Sequence, residues 1–220
     1  MVDKKIKISP SILNVPLENV ESKLKKVEEN IDYVHIDVMD GKFVTNCTDG
    51  VGMFKAALGS CNKPLDVHLM VENPNIEIEK YKGAEIITIH LEALSVQNRE
   101  EDFSKVAKRI KELGAKVGLS IKPNTKVSEL TNLLDKVDLL LVMAVEPGYG
   151  GQKLISDTLE KVTELRRLGF TKLIEVDGGI NAENASFVRN YDIDIIVAGT
   201  AVFGVEDENE AIKKIKGLWK

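Results

Sequence analysis

Eight short runs rich in β-branched and aliphatic residues recur along the 220-residue chain at roughly 20 to 35 residue intervals, and this recurrence limits the fold more than any other feature. The runs cover 6–9, 33–37, 65–69, 86–90, 116–121, 139–143, 173–177 and 193–198. Between them, apolar residues fall at helical spacing, as in Val20, Leu24 and Val27, in Val106, Ile110 and Leu113, and in Leu159, Val162 and Leu165. Gly83, Gly114 and Gly169 each follow a helical pattern and precede a strand, the position at which a helix stops. Eight strands, eight candidate crossovers and no long linker predict an α/β chain closed into a (β/α)8 TIM barrel, a single domain over 1–220. The alternative is an open doubly wound sheet, which usually has fewer strands or a second domain.

Composition removes several classes of function. Thirty-five acidic against 30 basic residues give a net charge of -5, with no basic block or aromatic-interleaved stripe, so no nucleic-acid partner is expected. The longest apolar run, 139–145, is far short of the roughly 20 residues needed to span a bilayer, and residues 1–8 lack the continuous apolar stretch of a signal peptide. No membrane association and a cytoplasmic location are the expectation. Cys47 and Cys61 have no metal-like pairing and read as reduced thiols.

Strand alternation places charge where a core belongs. In the second run His35 and Asp37 share one face, and Val34, Ile36 and Val38 share the other. Covering helices require the all-apolar face, so His35 and Asp37 point into the barrel. The same reading turns Asp66 and His68, Thr88 and His90, and Glu175 and Asp177 inward. An unpaired charge buried there would cost several kcal/mol. One compensation is a divalent ion held by His35, Asp37, His68 and Asp177; the other is a buried ion-pair network. Asp66, His90 and Glu175 either orient the ligating imidazoles or satisfy one another.

Glycines follow the last three strands. Gly148, Gly150 and Gly151 flank Tyr149 after the sixth, Gly178 and Gly179 follow Asp177, and Gly199 precedes Thr200. Such turns are either simply flexible or let backbone amides approach an anion, and at this rim of a barrel the expected anion is phosphate.

The segments SPSIL at Ser9, HIDVMDG at His35, DVHLM at Asp66, HLEA at His90, VEPGYGGQ at Val145, EVDGG at Glu175 and AGTAVFG at Ala198 resemble the ribulose-phosphate 3-epimerase family in order and over nearly the whole chain. The resemblance implies a barrel of the ribulose-phosphate-binding type that interconverts D-ribulose 5-phosphate and its C3 epimer, D-xylulose 5-phosphate. It implies that His35, Asp37, His68 and Asp177 hold one divalent metal ion, Zn²⁺ in first place and Fe²⁺, Mn²⁺ or Co²⁺ otherwise. It implies substrate contacts from Ser11, His68, Gly148, Tyr149, Gly150, Gly151, Asp177, Gly178, Gly179, Gly199 and Thr200. Asp37 and Asp177 are then the acid/base pair, on opposite faces of C3. Met39, Met70 and Met143 read as gap-filling side chains by pattern and as a low-polarity lining by resemblance. Where the family commonly has HFVPN, this chain has KFVTN with Lys42 and Thr45, so the loop after the second strand is expected to sit differently, and a few residues are inserted after Ala93. A homo-oligomer acting on a small sugar phosphate is expected. The rival readings are a ketohexose 6-phosphate 3-epimerase, a metal-independent phosphate-binding barrel and a non-catalytic sugar-phosphate-binding barrel.

Overall fold

The computed structural model describes residues 5–218; the ends of the expected 1–220 domain and the first four residues of the 1–8 segment lie outside them. Eight parallel strands form the sheet: β1 (Lys7–Ser9), β2 (Val34–Met39), β3 (Leu65–Met70), β4 (Ile86–His90), β5 (Lys116–Ile121), β6 (Leu139–Met143), β7 (Leu173–Asp177) and β8 (Ile195–Val197). Strands β4 to β7 coincide with the sequence reading, β2 and β3 extend to Met39 and Met70, and β1 and β8 are shorter than the runs that contain them. From β2 to β8 each strand pairs with its sequence neighbour, and β8 pairs with β1. The seam between β1 and β2 is closed just above β1, where the His35 N–H donates to the Pro10 carbonyl at 3.0 Å and the Ile12 N–H donates to the His35 carbonyl at 3.1 Å.

Helices α1 (Val20–Val27), α2 (Gly50–Ser60), α3 (Pro74–Glu77), α4 (Arg99–Glu112), α5 (Glu160–Arg167), α6 (Ala185–Val188), α7 (Thr200–Phe203) and α8 (Glu208–Lys216) cover the barrel. The fifth crossover departs from the expected pattern. It carries two 3-10 turns, Val127–Glu129 and Thr131–Leu133, in place of an α-helix. Its buried residues Val127, Leu130 and Leu133 recur every third position, the period of a 3-10 turn. At the end of α4, Gly114 adopts φ +84° with open space where a Cβ would sit, so backbone conformation and not packing selects glycine there. No helix among the described residues is long and apolar enough to cross a membrane.

Two apolar layers follow from strand alternation. Ile36, Val67, Ile87, Leu119, Val142 and Ile174 face outward onto the helices. Tyr33, Ile86, Leu139, Leu141 and Ile195 fill the bore toward the strand N-termini. His35, Asp66 and Glu175 stand in register with this layer, and Asp37, His68, His90 and Asp177 lie beyond it toward the C-terminal rim.

The last helix locks onto the first crossover through a buried carboxylate. Glu208, only 1% exposed, accepts from Lys23 at 2.6 Å and is also paired with Lys26, both on α1. Burial pushes this carboxyl up, yet the two lysine hydrogen bonds prevail and bring it down to about 2. A depressed folded-state pKa contributes stability that is present above the ordinary carboxylate value and is lost as pH falls through about 2. Glu208→Gln should therefore lower stability at pH 7 by about 1 to 2 kcal/mol. Urea unfolding at pH 7 and pH 3 checks it: the gap between wild type and variant narrows in acid, and a gap that stays constant rules the pairing out as its source.

Candidate active site

Register brings the inward polar residues into adjacent pairs. His35 lies beside Asp66 and Asp37 beside His68 across β2 and β3, and Asp177 at the end of β7 lies beside Met143. His35, His68, His90, Asp66 and Glu175 are fully buried, Asp37 nearly so, and Asp177 is partly exposed to the cleft above. One ligand atom from each of His35, Asp37, His68 and Asp177 lies within 4.8 Å of the others. These four come from three separate parts of the chain.

Hydrogen bonds lead outward from this cluster to Asp66, Ser11 and His90, and one joins His68 to Asp37 within it. His35 Nδ1 lies 2.7 Å from Asp66 Oδ2, which also accepts from the Ser9 hydroxyl at 3.3 Å. Burial pushes Asp66 up, but His35 outweighs it and holds the carboxyl below its ordinary value, so Nδ1 is the donor. A neutral His35 then keeps its lone pair at Nε2, which is buried without a hydrogen-bond partner and lies 3.5 Å from Asp37 Oδ1. His68 Nδ1 stands 3.1 Å from the same oxygen. Two imidazole nitrogens and two carboxylates converging in this way match the donor set of a divalent transition ion, and the orphaned Nε2 lacks the partner that such an ion would be. Burial lowers the His35 pKa, but Asp66 and Asp37 draw it well above its ordinary value, so a proton and a cation compete for one lone pair.

The two cleft carboxyls differ sharply. Burial pushes Asp37 up, but the adjoining imidazoles of His35 and His68 prevail and hold it well below the usual carboxylate range. The Ser11 hydroxyl donates to its Oδ2 at 2.7 Å. Asp177 is raised to about 6, first by burial and then by the charge of Asp37. One carboxyl therefore favours the base form and the other takes up a proton just below neutrality. Glu175 is pushed well above its ordinary value, first by burial and then by the charge of Asp66 and a hydrogen bond to it. Asp66 and His90 touch the imidazoles of His35 and His68, whereas Glu175 comes no closer than 4.0 Å to His35.

A cleft of about 250 Å³ opens above the cluster. Asp37 and Asp177 reach it together with Met39, Met70 and Met143, and Ser11, Gly178, Gly179, Gly199 and Thr200 line it as well. Gly148, Tyr149, Gly150 and Gly151 form part of its wall. His35 and His68 are fully buried and do not line it, so the cleft gives His68 no direct face toward a ligand. Met39 and Met70 also pack against Val44, Leu13 and Phe43, so they both line the cleft and fill space. Gly179 has φ +67°, and a Cβ there would stand 2.2 Å from the Leu154 amide nitrogen, so glycine alone permits this approach.

Lys42 and Thr45 both lie exposed on the loop after β2, and this loop reaches the glycine-rich one. Thr45 Oγ1 and Tyr149 Oη are 3.1 Å apart, and the Asn46 amide donates to the Gly148 carbonyl at 2.9 Å. After Ala93, Leu94 is buried and residues 95–98 form an exposed loop leading into α4.

Three contributors went unread in the sequence. Asn14 lines the cleft and donates to Thr200 Oγ1 at 3.1 Å, and the Gln152 amide holds the carbonyls of Glu146 and Tyr149 at 2.7 and 2.8 Å. Neither is charged, so neither stood out. Glu92 contacts His90 Nδ1 at 3.1 Å, and carrying the period-two alternation of β4 two residues further would have found it.

Residues 7–203 match the model of the ribulose-phosphate 3 epimerase family. The chain is 40% identical over 220 residues to the ribulose-phosphate 3-epimerase of Bacillus subtilis (strain 168), spanning 96% of this chain and 99% of that one. It is 40% identical over 216 residues to the chloroplastic ribulose-5-phosphate-3-epimerase of Arabidopsis thaliana, spanning 95% of this chain and 75% of that one. Among solved structures, 3-hexulose-6-phosphate synthase from Salmonella typhimurium superposes with a TM-score of 0.72 over 97% of this chain and 98% of that one, at 17% identity, a likeness of fold alone. With the barrel, its inward His and Asp residues and these full-length matches together, the chain belongs to the ribulose-phosphate 3-epimerase family.

Proposed function

We propose that this chain interconverts D-ribulose 5-phosphate and D-xylulose 5-phosphate by moving the C3 proton between Asp37 and Asp177. The observation that carries the proposal is the pair itself. Two carboxyls from β2 and β7 meet at one cleft with opposite protonation preferences, Asp37 well below the carboxylate range and Asp177 near 6.

Inversion at C3 requires a proton to leave one face of the carbon and another to arrive on the opposite face. Asp37 takes the proton, with Ser11 fixing its Oδ2 toward the cleft. Negative charge then collects on the C2 oxygen, and Asp177 delivers its proton from the other side. One turnover leaves a proton on Asp37 and charge on Asp177, so the reverse reaction or exchange with solvent restores the starting state. The partial exposure of Asp177 gives that exchange a route.

A divalent cation held by His35, Asp37, His68 and Asp177, with Zn²⁺ first and Fe²⁺, Mn²⁺ or Co²⁺ served by the same donors, would supply Lewis-acid stabilisation of the C2 oxygen charge. Met39, Met70 and Met143 offer that part of the cleft no polar competitor for the substrate. The amides at Gly178, Gly179, Gly199 and Thr200, with Asn14 beside them, suit the phosphate, and anchoring it fixes C3 between the two aspartates. Tyr149 and its neighbouring glycines, tied to Thr45 and Asn46, screen the cleft from water. Closure of the β1–β2 seam and the packing of α8 on α1 support reading the chain as one barrel domain.

Asp37→Asn and Asp177→Asn should each lower kcat by about 100-fold to 10,000-fold with the fold retained. In D2O the two variants separate by face. Asp177→Asn, which keeps Asp37, exchanges the C3 hydrogen of D-ribulose 5-phosphate without forming product, and Asp37→Asn does the same for D-xylulose 5-phosphate. Near-wild-type turnover in either variant sinks the two-carboxylate scheme. Dialysis against a chelator should abolish activity, with one equivalent of divalent ion restoring it; full activity in protein shown metal-free by elemental analysis removes the cation from the chemistry.

A further inference from the structure

A chain of polar contacts leaves the cleft behind His68 and ends at the loop after β5. His68 Nε2 lies 2.8 Å from His90 Nε2, and His90 Nδ1 lies 3.1 Å from Glu92 Oε2. The other oxygen of Glu92 accepts from the Lys122 N–H at 2.8 Å and from the Thr125 hydroxyl. The Phe43 ring packs on His90 at 4.8 Å between centroids, and Lys122 Nζ sits 4.0 Å from the Phe43 centroid. His90 is thereby held in its plane as well as at both nitrogens. Neither His90 nor Glu92 lines the cleft.

We propose that Glu92, acting through His90, fixes His68 in the tautomer whose Nδ1 lone pair faces the cation site, which makes Glu92 and His90 positioning residues for that site. The inference rests on the metal-binding reading above and extends it to residues that touch neither ion nor substrate.

Proton placement carries the proposal. A carboxylate offers only lone pairs, so His90 Nδ1 must donate to Glu92. Neutral His90 then presents a lone pair at Nε2, and His68 Nε2 must donate to it. His68 is left with its lone pair at Nδ1, 3.1 Å from Asp37 Oδ1, where the four ligand atoms converge. The opposite arrangement is the competitor. If His90 carried its proton at Nε2, His68 would carry its own at Nδ1 and donate it to Asp37, occupying the nitrogen a cation needs. Only Glu92 opposes that arrangement, because it would set the His90 Nδ1 lone pair against a carboxylate. A partner of this kind on a ligating histidine typically accounts for about 10-fold to 100-fold in metal affinity.

Glu92→Gln is the decisive substitution. Its amide nitrogen must face either the His90 donor or the Lys122 and Thr125 donors, so it cannot satisfy both sides as the carboxylate does. Thr125→Val, which removes one of the donors holding Glu92, is a milder second variant. Zn²⁺ affinity of metal-free protein is measured by competition with a chromophoric chelator, together with the Co²⁺ absorption spectrum, kcat and KM. Glu92→Gln should bind Zn²⁺ about 10-fold to 100-fold more weakly, change the Co²⁺ spectrum and lower kcat, with KM within about twofold of wild type. Thr125→Val should weaken Zn²⁺ by less than about tenfold in the same direction. Wild-type Zn²⁺ affinity in Glu92→Gln overturns the relay and leaves the proposed function standing. If that variant does not fold, unchanged affinity in Thr125→Val overturns it instead. Wild-type protein that binds no Zn²⁺ at one equivalent overturns both readings.

Discussion

Four carboxyl groups and three imidazoles share one end of a barrel bore, and the need to compensate them governs everything built around it. Asp37, Asp66, Glu175, His35, His68 and His90 are buried, and Asp177 alone among the seven opens partly to the cleft. A single ion left unpaired there would cost several kcal/mol. The compensation runs outward from the centre. His35 donates to Asp66, Ser11 donates to Asp37, His90 reaches Glu92, and burial with Asp66 pushes Glu175 toward its neutral form. With one nitrogen of His35 against Asp66 and one of His68 against His90, the remaining nitrogen of each ring lies within 3.5 Å of Asp37. The result is a cluster of His and Asp groups that could hold a cation.

Parallel strands supply the second constraint, because all eight end at the same rim. The charged inward residues come from β2, β3, β4 and β7, while the glycine turns follow β6, β7 and β8. Only β7 belongs to both groups, through Asp177 and the two glycines after it. A ligand lying across the cleft therefore meets charge and sulfur at one end and bare backbone at the other. Separation of this kind suits a molecule with a reactive carbon and a remote anion, and the loops joined through Asn46 and Gly148 cover the space between them.

Much of this was legible because local pattern and tertiary role agree. Strands β4 to β7 read to the residue, and a charged residue opens or precedes each of them: Glu85, Lys116, Asp138 and Lys172. The inward turn of His35 and Asp37 followed from the apolar face formed by Val34, Ile36 and Val38. The fifth crossover was less clear, because Val127, Leu130 and Leu133 fit a helix face as well as a 3-10 turn until packing decides. Glu92 was hidden for a different reason: it lies on a turn beyond β4, where strand alternation was no longer being followed. Thr45 was visible as a departure from the family pattern, but its contact with Tyr149, 104 positions away, was not.

The amino-acid sequence by itself determined the barrel, the rim at which its function gathers and the family to which it belongs, because period-two alternation, helix-stop glycines and strand-end motifs are local properties. Only the tertiary structure decided which partner each histidine nitrogen faces, why Asp37 and Asp177 titrate apart, and that Glu92 stands behind His68. Those features depend on distances of 2.7 to 3.5 Å between groups carried by different strands and loops. Electrostatic interaction in a buried site changes steeply over such distances, and spacing along a chain does not encode them.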